Sequence, residues 1–152
     1  MKSNVFAELN GKNLCLAVVQ SRFNQAITDK LVEGARRALE QNGVKPENIS
    51  LFKVPGAFEI PLVCQKISQI KKYHGIITIG AVIKGQTAHF EYISQAAING
   101  VMAVMLKIGL PISLGIITVY SLAQARTRCR ADKNNKGYEA AMALLEMIVN
   151  HK

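Results

Sequence analysis

Gly80-Ala81-Val82-Ile83-Lys84-Gly85-Gln86-Thr87-Ala88-His89-Phe90-Glu91-Tyr92-Ile93 joins an apolar run, a glycine-flanked turn and a helix start. The run Ile76-Ile77-Thr78-Ile79 into Val82-Ile83 is β-branched and nearly continuous, as suits a strand buried on both faces of a parallel sheet. Gly85 breaks it, and Thr87 reads as the N-cap of the helix that follows. The unpaired amides of the first turn and the positive end of the helix dipole then point at whatever sits above the strand end, where an anion is favoured. His89 falls in that first turn, where the dipole disfavours the imidazolium. A neutral ring able to accept a proton makes it a candidate general base. From these residues alone, an ordinary βα turn with a surface histidine is the commoner reading.

The surrounding chain repeats the pattern. Leu14-Cys15-Leu16-Ala17-Val18-Val19 reads as a first strand, with Ser21-Arg22-Phe23-Asn24 as the loop at its carboxyl end. The helix after it shows Ile27, Leu31, Ala35, Ala38 and Leu39 on one face and stops at Asn42-Gly43, with Pro46 beyond. Ile49 to Val54 makes a second strand, followed by Pro55 to Pro61 and a helical stripe of Leu62, Val63, Ile67 and Ile70. Ile112 to Val119 is the fourth strand, with helices at about Leu122 to Arg130 and Lys136 to Val149. Alternation of this kind predicts a single α/β domain over residues 1–152: a three-layer, flavodoxin-like sandwich around a central four-stranded parallel sheet. Ligands of such sheets bind beyond the carboxyl ends of the strands, where the loops Ser21 to Asn24, Pro55 to Glu59 and Lys84 to His89 all lie. Val5-Phe6-Ala7-Glu8-Leu9 alternates weakly and has no evident partner in its own chain, so it is expected to add as a strand to a neighbouring subunit.

Composition excludes several classes. The 152 residues carry a net charge of +9. The basic residues are scattered except for Arg126, Arg128, Arg130, Lys133 and Lys136, and no aromatics interleave with that cluster, which argues against nucleic acid. Apolar runs end at Lys84 and Lys107, well short of the ~20 residues a membrane helix needs. The amino terminus has no apolar signal core, which points to the cytoplasm. Cys15, Cys64 and Cys129 are widely spaced and read as reduced thiols, with no metal site. The helix from Phe90 to Lys107 is apolar around most of its circumference, which implies packing against another subunit.

Taken together, Ser21 to Asn24, Val54 to Pro61, Gly80 to Ile93 and Asn135-Lys136-Gly137-Tyr138-Glu139-Ala140-Ala141 resemble the lumazine synthase family, in order and at matching spacing over essentially the whole chain. The resemblance implies the penultimate step of riboflavin biosynthesis. A ribitylaminopyrimidinedione condenses with 3,4-dihydroxy-2-butanone 4-phosphate to give 6,7-dimethyl-8-ribityllumazine, phosphate and water, without metal or organic cofactor. Residue by residue, it implies that Phe23 stacks on the pyrimidine and Asn24 borders it. Ala57, Phe58 and Glu59 bind the ribityl chain, while Ala81, Val82 and Ile83 line the ring pocket. Gln86 and Thr87 offer donors to phosphate, and His89 carries the proton. Arg128 corresponds to the family's phosphate-binding arginine and Lys136 to a lysine beside the pyrimidine; these two and Leu114 come from the neighbouring subunit.

Read without the family, Asn24 is an ordinary helix N-cap and the two phenylalanines are core residues. In the helix expected at about Leu122 to Arg130, Arg126 and Arg130 share a face and Arg128 points elsewhere. Lys84 reads as a solvated charge that steers anions. The chain departs from the family at Ala123, where glutamate is usual, at Cys129-Arg130, where alanine and glycine are usual, and at Asp132, where lysine is common.

The family assembles as pentamers, in some members as a hollow shell of twelve, and associates in some with riboflavin synthase. The spacing from Arg128 to Lys136 carries no insertion, which leaves a shell sterically open, whereas Arg130, Asp132, Lys133 and the net positive charge oppose it. A noncatalytic lumazine- or flavin-binding paralogue is the alternative; retention of His89 and Arg128 favours the enzyme.

Overall fold

The computed structural model describes residues 6–152, and Val5 lies outside them. Its elements alternate as β1 (Leu16–Ser21), α1 (Gln25–Gln41), β2 (Ile49–Val54), α2 (Ile60–Ser68), β3 (Gly75–Ile83), α3 (His89–Ile108), β4 (Ile112–Val119), α4 (Leu122–Arg128) and α5 (Lys136–Asn150). The four strands form one parallel sheet in the order β2-β1-β3-β4. Residues 6–9 belong to no strand of this sheet, and Phe6 and Leu9 pack against the core.

Period-two alternation divides each strand between two cores. Leu16, Val18, Ile77, Ile79, Ile117 and Val119 face α1 and α5, while Ala17, Val19, Ile76, Ile112 and Ile116 face α2 and α3. With both faces covered, every residue of β1 is buried, which is why these strands read as unbroken apolar runs.

The helices end where the backbone chemistry dictates. Gly43 (φ 88°) and Gly109 (φ 72°) adopt the left-handed conformation that closes α1 and α3. α5 begins at Asn135, which is buried, and the Asn135 Oδ1 accepts from the amides of Gly137 and Tyr138 at 2.8 and 3.1 Å. Its Nδ2 donates to the carbonyls of Lys30 and Arg130. Gly137 lies so close to α1 that a Cβ there would overlap the Leu31 carbonyl.

Three expectations about the elements are corrected. β1 begins at Leu16 rather than Leu14. The buried face of α2 is Ile60, Cys64 and Ile67; Leu62 is exposed because α2 starts earlier and sits rotated relative to the expected stripe, and Ile70 is exposed beyond the end of the helix. Arg130 lies beyond the end of α4, so it shares no helix face with Arg126. On α3 only Ser94, Ala97, Val101 and Val104 are buried, and Met102, Leu106 and Ile108 face outward. No helix among the described residues is long and apolar enough to cross a membrane.

Candidate active site

β1 turns to β2 on one side and β3 turns to β4 on the other, so the crevice beyond β1 and β3 is the topological switch point of the sheet. A cavity of about 490 Å³ opens there. Its walls are the loop after β1 (Phe23, Asn24), the segment after β2 (Pro55 to Glu59), the end of β3 (Ala81, Val82, Ile83), and Gly85, Thr87, His89, Phe90 and Ile93. Residues from three separate stretches of chain thus converge in one place.

Each is held by a local device. Asn24 occupies the N-cap position of α1 in the left-handed conformation (φ 58°), and its backbone carbonyl accepts from Ile27 and Thr28. Its side chain makes no cap; Nδ2 donates across to the Ala81 carbonyl at 2.9 Å, tying the first loop to β3. Beneath that loop Gln20 is fully buried. Its amide donates to Thr28 Oγ1 at 3.1 Å and to Asp29 Oδ1 at 2.6 Å, and the Thr28 hydroxyl donates to the Ser21 carbonyl. Phe23 and Phe58 are therefore not core residues: they are 73% and 61% exposed, two bare rings on the wall of an open cavity. Such rings suit stacking on a planar ligand. A 3₁₀ turn over Ala57–Glu59 carries Phe58, and the Glu59 carboxylate accepts from the Gly56 amide at 2.9 Å.

α3 starts at His89, with Ala88 as its N-cap residue. The expected cap at Thr87 is shifted by one: its hydroxyl accepts from the His89 amide at 3.3 Å from just outside the helix. His89 is exposed at the cavity wall, while Gln86 is exposed on the turn and does not line the cavity. Phe90 and Ile93 were missed in the sequence, although Ile93 stands four residues from His89 and so shares its helix face.

Leu114, Arg128 and Lys136 are not part of this cavity. They surround a second concavity of about 220 Å³ beside β4, the edge strand. Arg128 donates from Nη1 to the Gln124 carbonyl at 3.0 Å, and Lys136 pairs with Glu139 at 2.6 Å. An adjoining, largely apolar groove of about 510 Å³ is lined by Met105, Pro111, Ile112, Leu144 and Met147.

Among the described residues, no lysine or arginine lines the first cavity. Lys84, beside it, pairs with Glu91 at 2.9 Å; that hydrogen bond holds the amine above its ordinary range and the carboxyl below its own. The two buried thiols, Cys64 and Cys129, offer no activated nucleophile. Burial pushes Cys64 up to about 12 and also raises Cys129. Among the described residues no three His, Cys, Asp or Glu side chains gather as a metal ion would require.

Fold and cavity define an α/β protein of flavodoxin-like architecture with an aromatic-walled site at its switch point. A profile of 6,7-dimethyl-8-ribityllumazine synthase matches residues 13–152, and the chain belongs to that family. It is 44% identical to the 6,7-dimethyl-8-ribityllumazine synthase of Desulfovibrio desulfuricans, over 95% of this chain and 92% of the relative. The protein of the same name from Leuconostoc mesenteroides is 42% identical over 97% and 92%. That from Nautilia profundicola is 44% identical over 90% and 89%.

Proposed function

We propose that this chain condenses 5-amino-6-ribitylaminopyrimidinedione with 3,4-dihydroxy-2-butanone 4-phosphate, in a site completed by a neighbouring copy of itself. The observation that carries the shared site is the separation of charge from cavity. A phosphate-bearing substrate calls for a cation, yet among the described residues none lines the switch-point cavity, and Arg128 and Lys136 lie beside the edge strand. A second copy bringing its β4 edge to the first copy's cavity supplies both.

Within that site Phe23 and Phe58 grip the pyrimidine and its ribityl arm, with Asn24, Ala57, Glu59, Ala81, Val82 and Ile83 setting the shape and the hydrogen bonds. Thr87, Gln86 and the α3 amides receive the phosphate. His89, next to both, moves the proton. An amine adding to a ketone, with loss of water and phosphate and closure of a ring, needs no protein nucleophile. Holding two substrates together and shuttling protons suffices. The raised thiols of Cys64 and Cys129 agree with that economy.

The outward apolar face of α3 supports assembly, and a ring of five is the minimal unit of this reading. Twelve rings closing into a shell would be the form able to enclose riboflavin synthase, and the cytoplasm is the compartment that suits the chemistry. Incubation with both substrates, watching lumazine fluorescence rise and phosphate appear in step, tests the reaction. Tight lumazine binding without turnover would instead mark a noncatalytic binding protein.

A further inference from the structure

Lys84 and Glu91 bracket the turn that carries Gln86 and Thr87, one leaving the end of β3 and the other in the first turn of α3. Their charged atoms lie 2.9 Å apart, although the side chains are 43% and 50% exposed. The Lys84 ammonium also stands 5.6 Å from the centroid of Tyr120 and 6.0 Å from that of Phe90, and the two rings lie 5.9 Å from each other. Its own amide donates to the Val119 carbonyl at 2.9 Å, which anchors the residue to β4. A carboxylate and two aromatic faces therefore hold the ammonium. Of these partners only Phe90 lines the cavity, and Lys84 itself does not.

This arrangement answers an electrostatic difficulty. The start of α3 favours a negative charge, but Glu91 already places one there. Left unpaired, that carboxylate would repel any second anion approaching the turn. Surface ion pairs contribute little to stability, so the arrangement is better explained by what it does to the local field.

We propose that Lys84 is a positioning residue that cancels the charge of Glu91 beside the 85–88 turn, so that the phosphate of the butanone substrate can bind there. The proposal rests on the reading that this turn receives the phosphate. It makes Lys84 act through Glu91 and not as a ligand of the anion, and it fixes the sign of each variant.

Lys84→Met raises KM for the butanone phosphate roughly threefold to tenfold, the effect of one like charge at short range in a largely hydrated setting. KM for the pyrimidine and kcat change less than about twofold, because neither depends on that charge. Glu91→Gln alone leaves the phosphate KM at or below the wild-type value. Combined with Lys84→Met, it returns KM to within about twofold of wild type, whereas Lys84→Arg needs no rescue. The Lys84→Met defect shrinks at about 0.5 M salt.

Two single variants that impair alike, or a double variant no better than Lys84→Met, overturn the proposal; the first outcome marks a structural latch and the second a direct ligand. Inorganic phosphate titrated against wild type and variants by ³¹P NMR ranks them without turnover. A wild type that binds phosphate in this ranking but forms no lumazine refutes the proposed reaction alone. A wild type that turns over without the ranking refutes the charge mask alone.

Discussion

The side-chain amide of Asn24 donates to the carbonyl of Ala81 at 2.9 Å while its backbone sits at φ 58°, so one residue fixes both the turn out of β1 and the distance to β3. Two substitutions separate those roles. Asn24→Gly keeps the left-handed turn and loses the bond, at a cost of about 1 kcal/mol. Asn24→Ala also pays the steric penalty of Cβ in that region, for a total of about 2 kcal/mol. Urea unfolding at fixed protein concentration measures both, and a wild-type midpoint for Asn24→Gly would show that the bond contributes nothing.

His89→Ala is expected to slow turnover without abolishing it. Proton transfer by a positioned side chain typically accelerates a step by ~10²–10⁴, while the walls that hold the substrates stay intact. Single-turnover kinetics isolate the chemical step. A rate equal to wild type from pH 6 to 8 would remove His89 from the mechanism.

Arg128→Ala is expected to raise KM for the butanone phosphate far more than KM for the pyrimidine, since it removes a charge-assisted contact from one substrate only. Arg126 is exposed on another part of α4, and Arg126→Ala is expected to do little. Equal defects in the two variants would mean that Arg128 has no specific place in the site.

Cys64 gives a pH dependence of known sign. Its thiol is raised to about 12 in the folded chain by desolvation, against 9.0 unperturbed. Between those values the unfolded chain has lost the proton and the folded chain keeps it, so unfolding is favoured as pH rises. The stability present below pH 9 should fall by up to about 4 kcal/mol by pH 12, at 1.36 kcal/mol per pKa unit. Cys64→Ala should be less stable at neutral pH because of its cavity, yet lose less on going from pH 9 to 11. Parallel declines in the two proteins would contradict this account.

Assembly is tested by mass. Light scattering over a range of salt should show no monomer; pentamers alone at every ionic strength would exclude the shell, and an active monomer would exclude the shared site. Mixed oligomers of His89→Ala and Arg128→Ala subunits should regain part of the activity, because some sites then combine two intact halves.

Residue order alone determined most of the scaffold. The bounds of β2 and β4 are legible in their β-branched runs, and α1 is legible in its stripe and its Asn42-Gly43 stop, because period and backbone preference are local properties. The family too is carried by four local motifs in sequence. The resemblance already assigned Leu114, Arg128 and Lys136 to the neighbouring subunit; only the tertiary structure decided where each group sits in the fold. Phe23, Phe58 and His89 meet at the switch point while Leu114, Arg128 and Lys136 gather beside the edge strand, since strand order and crossovers set which loops converge. The same holds for the Asn24 amide, which reaches a carbonyl 57 residues away instead of capping its own helix, and for Lys84, which meets the ring of Tyr120 just past the end of β4. Such contacts join residues far apart in sequence, and no local period encodes them.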